Sequence, residues 1–238
     1  MAKKRDLVGE ILEKRKLLGR RKDPFSLVQK RCFALFLGFY HLEKLPKKEK
    51  ELKDELKRYF AVGLVSCLEG YYRLIMKELI DHGPPYRDNA ARLEDLKFDV
   101  STIMRMQMQS VSVGEMISHL ASLSSIEDIN RHMSTLLGTD YFDALKPLGL
   151  WRDQTFGSFH PRAWQDLSDV FHDRHIACHE LNPRMKWTFR RVTDQWRVVQ
   201  HLIEANEKLI RNLGIRPEPK KGKETEDGNQ ETIEAEKA

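Results

Sequence analysis

Tyr59-Phe60-Ala61-Val62-Gly63-Leu64-Val65-Ser66-Cys67-Leu68 is a run in which only Ser66 brings a strongly polar side chain. It falls well short of the roughly 20 apolar residues that span a bilayer. It sits inside a longer periodic segment, from 47 to about 81. There Leu52, Leu56, Tyr59, Phe60, Gly63, Leu64, Cys67, Leu68, Tyr71, Ile75 and Leu79 recur near the helical period. A helix that is apolar almost all round in its middle lies at the centre of a bundle. Gly83-Pro84-Pro85 ends it, since proline cannot continue a helix.

The flanking segments also read as helices. Pro24 opens one whose apolar face is Phe25, Val28, Cys32, Leu35, Phe36, Phe39 and Leu42, and Pro46 closes it. Before it, residues 3–22 carry a local excess of six positive charges over a weak stripe of Leu7, Ile11, Leu17 and Leu18. Such a helix either keeps the chain soluble or contacts nucleic acid or a protein partner. Beyond the central helix, Leu93, Leu96 and Val100 predict a short helix. The alternation of Met104, Met106 and Met108 is strand-like, but their composition favours a helix with the methionines filling the core. Ser125-Ile126-Glu127-Asp128 predicts an N-cap with an acidic first turn, and Gly138 a stop. Residues 147–159 read as a loop, 161–181 as a helix and about 185–213 as a last helix. From 214 onward the composition predicts a disordered, charged tail. With no run that suits a sheet, the expected fold class is all-α: a helical bundle with a long central helix and extra N-terminal helices.

Over 238 residues, hydrophobic content is 40%, charged content 32% and formal charge +5, with a pI near 9.0. The balance permits an acidic or phosphate-bearing partner without requiring one. Cys32, Cys67 and Cys178 all fall in apolar helical patterns, which predicts reduced thiols and a cytoplasmic location. The charged N-terminus predicts no signal peptide, and no segment predicts membrane association.

Chemistry concentrates in Asp169-Val170-Phe171-His172-Asp173-Arg174-His175-Ile176-Ala177-Cys178-His179-Glu180-Leu181-Asn182-Pro183. Trp164, Leu167, Phe171, Cys178 and Leu181 form its apolar stripe. Pro161 suits the helix start and Asn182-Pro183 its end. Arg174 falls on the stripe, where a guanidinium needs a partner. His172, His175 and His179 line a neighbouring stripe. Three kinds of site are open. Arg174 can simply pair with a carboxylate in the core. The three histidines can chelate a metal, although no fourth ligand cluster is evident and HExxH is absent. Or a histidine can move a proton at a phosphodiester while an arginine holds the phosphate, with no metal required. Arg174 and His179 are about 140° apart around an ideal helix. They converge only through the arginine's reach, fraying of the last turn, or a dimer interface.

Arg174-His175-Ile176-Ala177-Cys178-His179 resembles the Arg-X4–6-His motif of the HEPN superfamily, whose common form is arginine, a polar residue, three residues and histidine. Leu68-Glu69-Gly70-Tyr71-Tyr72 resembles an earlier helix of that family. The resemblance covers the bundle core, about 50–213, and its specific part is the six-residue motif. It implies a metal-independent endoribonuclease with no cofactor, acting as a homodimer in which two motifs face one another, and leaving a 2′,3′-cyclic phosphate. By position, Arg174 would bind and polarise the phosphate, His179 would be the general acid/base, and His175 the polar orienting residue. Glu69 would support the cation or, more plainly, pair with Arg73 four residues on. Many family members are toxins or anti-phage effectors, which implies an antitoxin or regulatory partner. Others have lost activity and bind a protein or nucleotide, the alternative function here. The basic start of the last helix, Arg184, Lys186, Arg190 and Arg191, would form the RNA path. The chain thus divides into N-terminal helices packing on the bundle (1–46), a HEPN-like domain (47–213) and the tail (214–238). The N-terminal extension and Glu180, where small residues are common, depart from the family pattern.

Overall fold

The computed structural model describes residues 5–18, 23–93, 98–149, 163–180 and 187–217, and every regular element among them is helical. In chain order these are α1 (Leu7–Leu18), α2 (Pro24–Glu43), α3 (Lys50–His82), α4 (Tyr86–Ala90), α5 (Val100–Met108), α6 (Val113–Leu120), α7 (Ile126–Leu137), α8 (Tyr141–Leu145), α9 (Ala163–His179) and α10 (Phe189–Asn212). Short 3-10 turns precede α3 and follow α8.

The expected central helix is α3. Its 33 residues run about 50 Å at 1.5 Å per residue. It buries Phe60, Ala61, Leu64, Val65, Cys67, Leu68, Tyr71, Tyr72, Ile75, Met76, Leu79 and Ile80, and touches α2, α4, α6, α7, α9 and α10. Leu52, Leu56 and Tyr59 keep the helical period but stay exposed, because among the described residues no helix covers that side of the first turns. The α2–α3 hairpin has a clear register. Glu43 pairs with Lys53 at 3.0 Å and with Lys57, and Phe39 lies 5.4 Å from Phe60. A Cβ on Gly63 would come within 2.8 Å of Leu35, so the glycine lets that side chain nest against the α3 backbone. Gly114 does the same for α6. A Cβ there would lie 2.6 Å from the Lys77 carbonyl, while the Gly114 amide and the Ser112 hydroxyl both donate to Asp81.

The buried end of α3 carries a polar chain in the core. Tyr72 and Tyr141 hydroxyls meet at 2.6 Å, Tyr141 donates to Asn206 Oδ1 at 2.7 Å, and Asn206 Nδ2 donates to the Tyr71 hydroxyl at 2.8 Å. Burial pushes both the Tyr71 and Tyr141 phenols well above their ordinary range.

A second small core joins α1, α5 and α6 through Val8, Ile11, Val111 and Met116, with Phe98 and Met106 packed against it. The basic residues of α1 are partly committed to this junction. Arg15 forks onto Glu115 and donates to the Ser110 carbonyl, and Lys14 lies 3.0 Å from His119 Nδ1. The expectation that the methionines of α5 fill the core is corrected: Met104 and Met108 are exposed, and only Met106 turns inward, because α5 meets the rest of the fold on one narrow side.

The expected tail boundary is also corrected. Residues 214–217 fold back onto the bundle. Gly214 adopts φ 73° after α10, the Ile215 amide bonds to the Ile210 carbonyl, and Ile215 packs on the core. This is a Schellman stop, which needs the left-handed residue that glycine supplies. It aims Arg216 at Glu78 (2.5 Å), Glu207 (2.7 Å) and Asp23 (3.4 Å). The rest of the predicted tail, and the loop expected after Gly149, lie outside the described residues. No helix among the described residues is long and apolar enough to cross a membrane.

Candidate functional site

α9 presents two different surfaces along its length. Its first half is anchored: Ala163, Leu167, Val170 and Phe171 are buried against α3, and Trp164 meets Phe142 edge-on at 4.7 Å. One side of its last two turns is open, with His172, His175, Cys178 and His179 all exposed, while Ile176 and Ala177 on the other side pack against the core. The exposed Cys178 corrects the expectation that all three cysteines are buried; Cys32 and Cys67 are.

Arg174 continues the apolar face and is half-buried, as its place on the stripe predicts. Its partner is Glu69 of α3, at 3.8 Å between Nη2 and Oε1. The simpler expectation, an Arg73 pair for Glu69, gives way because Arg73 turns to the end of α6. There its Nη1 donates to the Ser118 and His119 carbonyls at 2.5 and 3.1 Å. At 3.8 Å the Arg174–Glu69 pair does not saturate the guanidinium's five donors, and among the described residues no second carboxylate pairs with it.

His179 ends the helix beside His175, with ring centroids 4.7 Å apart. Among the described residues Arg174 and His179 make no contact with one another: Arg174 reaches Glu69 of α3, while His179 is exposed beside His175. Among the described residues, no three His, Cys, Asp or Glu side chains converge to hold a metal. The four-residue spacing pairs His175 with His179 but leaves His172 outside that ring contact.

One residue escaped notice in the sequence. Asp173 is fully buried and accepts three bonds, from Arg191 Nε and Nη2 at 2.7 Å each and from Gln195 Nε2 at 2.6 Å. This fork ties α9 to α10 and raises the Arg191 guanidinium further, chiefly through its bond to Asp173. The available signal was helical spacing: Asp173 lies three residues after Val170, on the inward side, where an aspartate persists only with a partner.

The expected RNA path changes accordingly. Arg191 is engaged with Asp173, so its fork is not free for phosphate. Arg190 is exposed, 3.8 Å from Asp194, and Arg197 is equally far from the same carboxylate. Arg184 and Lys186 lie outside the described residues. A cleft of about 250 Å³ is lined by Asp166, Asp169, Asp194, Arg190 and Arg191, with Thr188 and Gln195. Its carboxylates outnumber its guanidiniums, which makes it a poor bed for a phosphate chain.

The chain matches no protein-family model, no curated protein and no solved structure.

Proposed function

We propose that this helical chain is a metal-independent endoribonuclease of the HEPN type, working as a homodimer. The observation that carries the proposal is Arg174. It is a half-buried arginine, oriented by Glu69 from the central helix, five residues before an exposed histidine at the end of α9. In the reaction, Arg174 grips the scissile phosphate and stabilises charge developing on its oxygens. His179 takes the proton from the 2′-hydroxyl as that oxygen attacks phosphorus, and returns a proton to the departing 5′-oxygen. His175, beside it, orients the imidazole. The product carries a 2′,3′-cyclic phosphate. Because Arg174 and His179 diverge on one helix, the pair that acts on one phosphate comes from two facing subunits. A role as a toxin or anti-phage effector, held in check by an antitoxin, fits such an activity.

The test is incubation of wild type, Arg174→Ala and His179→Ala with mixed RNA in EDTA. Wild type alone cleaves, and each substitution lowers the rate by about 10²–10⁴-fold, the usual worth of a positioned acid or base. Equal residual cleavage in all three would assign the activity to a contaminant.

A second function has its own support. Val100, Ile103, Met104 and Met108 form an exposed apolar face on α5, as expected of a non-catalytic HEPN-like module that binds a protein. Intact RNA in the presence of wild type, with Arg174→Ala indistinguishable from it, would favour that module.

A further inference from the structure

The open end of α9 holds a pair of imidazoles whose spacing can serve more than proton transfer. His175 and His179 are both exposed, stand four residues apart on one helical face, and have ring centroids 4.7 Å apart. From this juxtaposition we infer that the His175–His179 pair is a surface clip for a borderline transition-metal ion, Cu²⁺ or Zn²⁺. Two imidazoles at this spacing on a rigid helix can each turn one nitrogen toward a shared ion at about 2.0–2.1 Å with small χ changes. Among the described residues no carboxylate bonds to either ring. Water completes the shell, as expected of an exchangeable rather than a structural site.

Ligand chemistry sets the selectivity. Imidazole favours copper, nickel and zinc, with copper tightest, whereas magnesium and calcium seek oxygen donors. The clip also carries a regulatory consequence, which rests on the ribonuclease proposal. A histidine whose lone pair is bound to a metal cannot accept a proton, so an ion on His179 stops the general base. Metal then acts as an inhibitor of a reaction that needs none.

The binding test uses the untagged full-length chain, titrated calorimetrically with CuCl₂, ZnCl₂ and MgCl₂. His175→Gln and His179→Gln each weaken copper and zinc binding by at least about tenfold, the loss that even removal of an outer-shell partner typically causes. His172→Gln, outside the ring contact, changes it less than about threefold on the same scale. Circular dichroism confirms that each variant keeps its helices; all three positions are exposed. Absence of copper binding by wild type, or isotherms unchanged in both His175→Gln and His179→Gln, would overturn the clip. RNA cleavage in EDTA judges the ribonuclease separately. Where cleavage occurs, half-inhibition by zinc at the calorimetric dissociation constant supports metal control of His179, and cleavage undiminished at saturating zinc overturns that control.

Discussion

At the scale of single residues, the chain spends its arginines unequally. Arg191 is bound bidentately to Asp173, a carboxylate with no exposure at all. Removing one partner of such a pair leaves a buried charge uncompensated. Arg191→Ala therefore lowers unfolding free energy by about 3 kcal/mol, the lower end of the usual range because the arginine itself is partly solvated. Urea denaturation measures this; a loss below about 1 kcal/mol would mean that water reaches Asp173. Arg174 is held differently, by one longer contact at 3.8 Å to a partly exposed Glu69. Glu69→Gln should cost little stability, since such pairs contribute about 0–1 kcal/mol. In the proposed reaction it costs turnover instead, by relaxing the guanidinium, and single-turnover cleavage beside a melting curve separates the two effects. That Arg174 needs a partner was legible in the sequence, because a charge on an apolar stripe demands one; that Glu69 is the partner was not, since the plainer expectation paired Glu69 with Arg73 four residues on. The Asp173 fork was not. Its partner lies on a helix 18 residues away, and only the folded geometry says that the two helices meet there.

Among the helices, the legible ones announced themselves by caps and period. α7 begins at Ser125, whose hydroxyl accepts from the Asp128 amide, and ends at Gly138 in the left-handed region, as the residues predict. The long period of α3 likewise survives intact, apart from a first exposed face. The short helices between α3 and α7 were harder to see. Each has at most nine residues, too few to show a period against the noise of composition, and their positions are set by tertiary contacts such as Gly114 on Lys77. The stop of α10 was readable in principle, since Gly214-Ile215 is a Schellman signature, but the charged composition that follows outweighed it. The α1–α6 junction carries a pH signature. His119 is held below its ordinary value, first by burial, while its ring bonds to Glu10 at 2.8 Å, beside Lys14 and Arg5; the Arg5 bond first, then His119, pulls the Glu10 carboxyl down to about 2. A histidine whose folded pKa is depressed contributes stability above its unfolded value near 6.5 and loses it as pH falls through the folded value. Glu10 has the same sign, with its loss placed between its ordinary value and about 2. The junction should therefore loosen on acidification from pH 7 to 5, with His119 the titrating group. Melting temperatures of wild type and His119→Gln across that range check it: the wild-type slope should be the steeper one, and parallel slopes would remove His119 as the cause.

For the molecule as a whole, the proposed ribonuclease reaction turns on how one helix can supply both of its groups to one phosphate. Arg174 reaches Glu69 of α3 while His179 is exposed beside His175, so the proposed reaction draws the two groups on one phosphate from different subunits. The proposed dimer answers this, because a two-fold interface that set each open helix end opposite its copy would create two equivalent composite sites. Light scattering at micromolar concentration should then report a dimer. Subunit mixing tests the arrangement more sharply. Arg174→Ala retains His179, and His179→Ala retains Arg174. In a mixed dimer one composite site loses both groups and the other regains both. If the two inactive proteins are combined in equal amounts and allowed to exchange, half the dimers are mixed and each carries one working site of two. Cleavage should return to about a quarter of the wild-type rate. A site completed within one subunit predicts no recovery at any mixing ratio, since every chain in the mixture lacks one of its own two groups.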